Sequence, residues 1–339
     1  MNKATIRDVA KKAGVGLGTV SRVFNESPLV SEKTRQHVLN VIEELNYVPN
    51  PTARRLSLGK TLTVAVISPF ITRPAFNERL RGIESRLAES EYDLILFNVE
   101  TVKRRDQLVR EVPRRDRADG VILLSLPPRD TDISLLAAAE VPIVLVDANH
   151  PKLAHLNRVI VDDVEGGWKA TRHLIDKGHR KIGYISDRLE NPFNFTSSRD
   201  RYLGYRQALE EAEISFRLDY HGQGEHSRAE ARRLASKMLK LPDRPTAIFA
   251  ASDTQAMGVL QAARELGLQV PGDLSVAGYD DIEVAEYLGL TTVRQLLYES
   301  GRRGVDLLLD ILEGKYREPV CEVMPTELIV RGSTSRPTG

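Results

Sequence analysis

Seven short apolar runs constrain the fold of this chain more than any other feature. Residues 63–67, 93–97, 120–124, 143–146, 181–185, 246–250 and 274–277 are rich in Val, Ile and Leu, and most are separated by stretches long enough for an amphipathic helix. Strands that are apolar throughout must be covered on both faces, and a helix returning between strands leaves them parallel. The alternation pauses near residues 157–163 and then resumes, which predicts two similar α/β lobes. Segments 300–313 and 323–330 are expected to complete the lobes, so that the chain passes between them more than once.

Polar residues stand where the runs end: Ser68 after the first, Asp147 after the fourth, and Ser186, Asp187, Ser252, Asp253, Tyr279, Asp280 and Asp281 in the second half. Ligands of open α/β sheets bind beyond the carboxyl ends of the strands. Two lobes facing each other across such ends enclose a cleft for a small polar molecule. Asp147 and Asp280 are expected to meet that ligand. For Asp253 and Asp281 the pattern fits capping of the next helix equally well.

Before the first strand the pattern is helical. Residues 6–24 read as two short helices joined by a turn. Ala10 allows close approach, Gly14 supplies the left-handed or tight backbone of the turn, and Ile6, Val9, Val15, Val20 and Val23 share an inward face. This is a helix-turn-helix pattern, whose second helix docks in the major groove of DNA. A third helix follows, with Ser31 as N-cap and Val38, Val41, Ile42 and Leu45 as its apolar stripe. Pro49 and Pro51 then open a linker, and residues 52–59 are long enough for about two helical turns, which are marginal alone in water. Residues 1–60 carry ten Lys/Arg against five Asp/Glu, a net of +5 on a chain whose total is +1. A basic head on an acidic body suits a phosphate backbone.

Other chemistries find little support. No apolar run approaches the roughly 18 residues of a membrane span, and the N-terminus has no apolar core of a secretory signal, so a cytoplasmic, nucleoid-associated location is expected. Cys321 is the only cysteine, which rules out an intrachain disulfide. Gly14, Gly16 and Gly18 follow no strand and so form no dinucleotide loop, and Gly59-Lys-Thr lacks the first glycine of a phosphate loop, because Arg54 occupies that position. No nucleophile elbow or zinc-binding motif occurs. His173 and His179 are expected near a helix end in a surface or dipole-facing role rather than as metal ligands, His221 and His226 flank a glycine-rich loop, and Trp168 is expected against a sheet. No catalytic residue, metal or cofactor is assigned.

Several segments resemble one family. Thr5-Ile-Arg-Asp-Val-Ala, Gly18-Thr-Val-Ser-Arg-Val-Phe-Asn, Val30-Ser-Glu-Lys-Thr-Arg and Leu45-Asn-Tyr-Val-Pro-Asn resemble the head of the lactose-repressor family of bacterial regulators. Arg201-Tyr-Leu-Gly-Tyr-Arg-Gln-Ala-Leu, Ser252-Asp, Val276-Ala-Gly-Tyr-Asp-Asp and Leu290-Thr-Thr-Val resemble its effector-binding core. The resemblance implies a helix-turn-helix head, a hinge helix, and a core of two parallel-sheet lobes like a periplasmic sugar-binding protein. It also implies a homodimer on pseudo-palindromic double-stranded operators. Leu17, Gly18 and Arg22 match base-reading positions; Thr5, Thr19, Ser21, Asn25, Ser31 and Thr34 match phosphate contacts. Ala53, Arg55 and Leu56 match the hinge, with Leu56 as a minor-groove wedge. In the core, Arg201 and Asp280 match the main effector anchors, and Ser68, Phe76, Asp147, Ser197, Ser252, Asp253 and Gln295 match further contacts. This chain has Ser68 where many relatives have Asp, with Arg73 nearby, and Leu17 and Gly18 where polar pairs are common.

The expectation is therefore a DNA-binding transcription regulator, a repressor, controlled by a small ligand of sugar type. Its divisions are a head at 1–48, a hinge at 49–60, a core at 61–332 and a tail at 333–339. The first lobe takes about 61–160 and 295–322, and the second about 161–294 and 323–332. The alternatives are a solute-binding protein or a sugar-processing enzyme on the same core. The tail has no leucine heptad, so dimers rather than coiled-coil tetramers are expected.

Overall fold

The structure, a computed structural model, describes residues 4–24, 27–48, 59–149 and 151–338. The chain divides into two compact units, Met1–Thr61 and Leu62–Gly339. In the first, α1 (Ile6–Ala13) starts at a capping box: the Thr5 amide donates to Asp8 Oδ2 at 2.8 Å, and the Asp8 amide donates back to Thr5 Oγ1. Gly14 closes α1 with φ +65°, a left-handed conformation that costs glycine nothing. After α2 (Leu17–Phe24), α3 (Glu32–Glu44) begins where Ser31 Oγ accepts from the Thr34 amide. Val9, Ala10, Ala13, Val20, Val23, Val38 and Val41 make the buried core of this unit.

The second unit contains two six-stranded sheets. The first is built from β1 (Thr63–Pro69), β2 (Asp93–Val99), β3 (Gly120–Leu124), β4 (Ile143–Val146), β5 (Asn157–Val161) and, from late in the chain, β11 (Cys321–Met324). Its order is β2-β1-β3-β4-β5-β11, with every pair parallel. The second sheet uses β6 (Ile182–Asp187), β7 (His221–Gly224), β8 (Ala247–Ala250), β9 (Ser275–Asp280), β10 (Thr291–Arg294) and β12 (Glu327–Ile329). Its order, β7-β6-β8-β9-β10-β12, repeats the first, except that β12 runs antiparallel to β10. Strands β1, β3, β4, β8 and β9 are buried along their whole length, which is why they read as unbroken apolar runs. Helices α4 (Pro74–Leu87), α5 (Val102–Glu111) and α6 (Asp130–Ala137) serve the first sheet. Helices α7 (Asp163–Asp176), α8 (Ser197–Glu211), α9 (Arg228–Leu239), α10 (Asp253–Glu265) and α11 (Glu283–Tyr287) serve the second. Helix α12 (Leu297–Leu312) returns to pack on α4. Among the described residues the chain thus passes between lobes after β5, after β10 and after β11.

Glycines set how closely the key helices approach. A Cβ on Gly301 of α12 would stand 2.0 Å from the Arg79 carbonyl oxygen of α4, and one on Gly82 would stand 2.0 Å from the Tyr298 carbonyl oxygen. The second lobe repeats the device. A Cβ on Gly167 of α7 would lie 2.2 Å from the Arg201 carbonyl oxygen of α8, and one on Gly204 would lie 2.0 Å from that of Val164. In each lobe the helix after the first strand therefore carries a buried arginine backed by a glycine of its neighbour.

Four expectations are corrected here. Residues 157–161 are a strand, hidden in the sequence because Asn157 and Arg158 lead it; Asn157 Oδ1 accepts from the Val320 amide. The glycine-rich stretch at 221–224 is an edge strand whose Gly222 and Gly224 point inward. Trp168 is only half-buried and leaves the sheet to others, its Nε1 donating to Glu211 Oε2 at 2.7 Å. His179 is buried rather than exposed, because the chain end folds over it: Nε2 lies 3.0 Å from Ser275 Oγ and 2.9 Å from the Ser335 carbonyl. Ser333 and Thr334 are likewise buried, Ser333 Oγ donating to the Val276 carbonyl.

Candidate nucleic-acid interface and interlobe cleft

On the head, the inward face of α2 is taken by Val20 and Val23, which leaves Leu17, Gly18 and Arg22 exposed on the outward one. Leu17 is 46% exposed. Around a Cβ built on Gly18 nothing lies within 4 Å, so packing inside the head does not require the glycine. Thr19 and Ser21 lie on the same helix. Thr5, Ser31 and Thr34 already serve helix starts, Ser31 and Thr34 sharing a 2.9 Å hydrogen bond between hydroxyls; capping leaves them exposed or half-exposed at helix N-termini, where anions are favoured. Asn25, Ala53, Arg55 and Leu56 lie outside the described residues.

In the core, both sheets turn their carboxyl ends toward one cavity of about 710 Å³, counting its open mouth. Phe76, Asp147, Ser197, Arg201, Ser252, Asp280 and Gln295 all line it. Ser68 and Asp253 do not. Ser68 is fully buried and turns its hydroxyl to the Pro69 carbonyl. Asp253 is fully buried beneath the floor, where Oδ1 accepts from Thr292 Oγ1 at 2.6 Å and Oδ2 from the Ile282 amide at 2.9 Å. Both correct the strand-end reading: Ser68 lies on the inward side of the β1 pleat, and Asp253, the first residue of α10, turns under the floor to meet Thr292 and Ile282. Asp281 is likewise turned away, onto Arg294 and Arg331.

The cavity floor is a relay of paired groups running from lobe to lobe. Ser125 Oγ donates to Asp147 Oδ2 at 2.6 Å, and Arg79 Nη1 stands 3.0 Å from the same oxygen. Arg79 also donates through Nη2 to Gln295 Oε1 at 2.6 Å and through Nε to Ser300 Oγ at 3.3 Å. Gln295, in the crossover after β10, hands the relay to Asp280 through its Nε2. Asp280 Oδ1 lies 3.5 Å from Arg201 Nη1, and Arg201 in turn donates to Asp163 Oδ1 at 2.7 Å and to the Ala251 carbonyl at 2.6 Å. The Arg201 guanidinium carbon stands 3.7 Å from the Tyr279 ring centroid.

Burial pushes Asp163 up to about 6, although the Arg201 guanidinium beside it acts the other way. Burial likewise raises Asp280, opposed by Arg201 and Arg79. Burial also works against the Arg201 charge, yet Asp163 and Asp280 hold that guanidinium more firmly protonated than usual. The backbone is strained at the same place: Phe70, Ser125, Asp147, Asp280, Asp281 and Leu296 all have positive φ. Non-glycine residues held this way cluster at ligand clamps and switch regions.

Several lining residues are not among the effector contacts that the sequence implies. Arg79 is 2% exposed, and its one signal is a charge in register with Ile83 and Leu87 on the apolar face of α4. Ser125 follows β3 as Asp147 follows β4. Asp187 Oδ1 accepts from Gln255 Nε2 at 2.8 Å and lies 2.9 Å from His226 Nδ1. Phe76 and Phe195, 6.4 Å apart, line one side, and Phe195 is backed by Phe193, which stacks on it and meets Phe70 edge-on at 5.3 Å. No group of three or more His, Cys, Asp or Glu able to hold a metal occurs among the described residues, and no helix among them is long and apolar enough to cross a membrane.

With this geometry in place, the similarities to known proteins are specific. Residues 5–50 match bacterial regulatory proteins, lacI family, and residues 171–334 match the periplasmic binding protein-like domain. The chain is 33% identical to the HTH-type transcriptional repressor PurR of Aliivibrio salmonicida, over 98% of this chain and 99% of that one. Among solved structures it resembles the lac repressor dimer bound to operator and the anti-inducer ONPF, with TM-score 0.86 and 29% identity over 98% of this chain and 100% of that one. It also resembles the transcriptional regulator CelR in complex with cellobiose, with TM-score 0.73 and 33% identity over 97% and 99% of the two chains.

Proposed function

This chain belongs to the lacI family of bacterial regulatory proteins, and from that premise we infer that it is a DNA-binding transcriptional repressor whose hold on operator DNA is set by a small effector in the interlobe cleft. The observation that carries the reading is the relay from Asp147 through Arg79 and Gln295 to Asp280. Its members belong to both lobes, so a ligand that hydrogen-bonds Asp147 or Asp280 competes with the bonds that join the lobes. Occupancy then shifts the lobes only as far as the ligand's preference for one arrangement allows, typically about 1–3 kcal/mol of coupling.

A carbohydrate fits this floor. Carboxylates accept from hydroxyls, guanidinium groups donate to them, and an aromatic wall of Phe76 and Phe195 offers a face to a ring. Operator contact is assigned to Leu17, Gly18 and Arg22 at base edges, to Thr5, Thr19, Ser21, Asn25, Ser31 and Thr34 at phosphates, and to Ala53, Arg55 and Leu56 in the minor groove. Homodimers give the two half-site readers. A face for that pairing is the groove of Met257, Leu260, Tyr287 and Leu288, where Tyr287 is 89% exposed. The reading needs no chemical turnover.

The test is a fluorescence anisotropy titration of the full-length protein against duplexes selected from a random pool, at rising salt. The reading expects saturable, salt-sensitive binding to a two-fold symmetric sequence, and light scattering of the free protein as a dimer. Binding that shows no sequence preference contradicts it.

A further inference from the structure

Three arginines and three aspartates line the cleft: Arg73, Arg79, Arg201, Asp147, Asp187 and Asp280. Five of the six are engaged with protein partners. Arg79 holds Asp147, Gln295 and Ser300; Arg201 holds Asp163, Asp280 and the Ala251 carbonyl; Asp187 is held by Gln255 and His226. Arg73 differs. Its side chain makes no ion pair and no hydrogen bond to any described residue; its guanidinium carbon rests 3.9 Å from the centroid of the Phe70 ring. A guanidinium offers five N–H donors in a planar fork, and here all five remain uncommitted at the cavity.

The position deepens the imbalance. Arg73 is the N-cap of α4, a helix of 14 residues, and gives it no side-chain cap bond. A cation beside a helix N-terminus faces the positive end of the dipole. Burial also works against the Arg73 charge, and the carboxylates that favour it, Asp187, Glu100 and Glu225, act from beyond ion-pair distance. The arrangement is unfavourable in an empty cleft and becomes favourable when an anion sits against the guanidinium.

We propose that the effector is an anionic carbohydrate, its sugar hydroxyls on the Asp147–Asp280 floor and its phosphate or carboxylate group on Arg73. The proposal rests on the cleft being the effector site. Arg73 then acts as the residue that separates a charged sugar from its neutral parent, since a bidentate guanidinium–oxyanion contact is available only to the former.

Isothermal titration of the full-length protein tests this with matched sets of neutral hexoses and pentoses, their phosphates, and the corresponding uronates. Arg73→Gln, Arg73→Lys and Arg201→Met are the variants. The expected result is that an anionic member binds at least about tenfold more tightly than its neutral parent. Arg73→Gln should abolish that difference and Arg73→Lys should retain part of it. A phosphate that outbinds the matching uronate identifies the anionic group, and the reverse order identifies a sugar acid. A neutral sugar that binds as tightly as its charged forms, loses binding in Arg201→Met and ignores Arg73→Gln overturns the proposal and leaves the cleft as the effector site. Sugars whose binding ignores both Arg73→Gln and Arg201→Met overturn the cleft assignment itself. Failure of every anionic member to bind also overturns the proposal.

Discussion

Arg79 Nη1 and Asp147 Oδ2 stand 3.0 Å apart with both side chains at least nine-tenths buried. Little of either side chain reaches solvent even though both line the cleft, so each charge depends largely on the other. Removing one member of a buried pair strands the other and typically destabilises by about 3–5 kcal/mol. Arg79→Met is expected to lower core stability by that order, measured by urea unfolding followed through Trp168 fluorescence. Asp147→Leu added to Arg79→Met should restore much of the loss, because the stranded charge disappears.

Gly301 has no room to grow. A Cβ added there would meet the Arg79 carbonyl oxygen at 2.0 Å, so Gly301→Ala must push α12 from α4 and stretch the Arg79 contacts to Ser300 and Gln295. An overpacked contact of this kind costs roughly 1–3 kcal/mol. Differential scanning calorimetry should show the core transition falling, while the head transition stays in place.

Gly18 is the opposite case. Open space surrounds it, and glycine weakens a helix by about 1 kcal/mol relative to Ala. Gly18→Ala should therefore raise the stability of the head by up to about that amount. If operator affinity drops even so, the glycine serves close approach to DNA. In contrast, Arg22→Ala should cost about 1–3 kcal/mol of operator binding and relax base preference, while Thr19→Val should weaken all sequences alike. Competition anisotropy against single-base operator variants separates the two effects.

Burial, with Arg206 nearby, pushes His221 down to about 4. Its ring stacks on Tyr202 at 4.6 Å and meets Phe216 edge-on. The unfolded chain takes up this proton near pH 6.5, and the folded one only near pH 4. The folded state thus binds fewer protons between those values, and stability is full above pH 6.5 and falls as pH drops toward 4. His173 and His179, also lowered by burial, act in the same direction. His221→Phe should give a shallower fall in melting temperature from pH 7 to pH 5 than the parent chain, with the residual slope carried by the other groups.

Much of this architecture is legible in the residues. Val64, Val66, Ile122 and Val144 announce buried parallel strands because both sheet faces are covered. Gly14 announces its turn through the left-handed backbone it adopts. Asp147 and Asp280 can be placed at the cleft because strand ends define it. What resists reading is set by partners far along the chain. Arg79 owes its place to Ser300 and Gly301, more than two hundred residues away. Ser68 and Asp253 look like cleft residues by position, but the β1 pleat turns Ser68 inward, and Asp253 is drawn under the floor by Thr292 and Ile282, some thirty to forty residues on. His179 is covered by Ser335 from the chain end, where composition alone suggests a free tail.

The central claim is that occupancy of the cleft changes the grip on DNA. Its most direct test is anisotropy of the selected operator with full-length protein and with Arg201→Met, with and without a compound that binds the parent core. The account predicts that the compound changes parental operator affinity by at least about fivefold and leaves the operator affinity of Arg201→Met unmoved. A compound that binds the core saturably while operator affinity stays constant in the parent protein would contradict it.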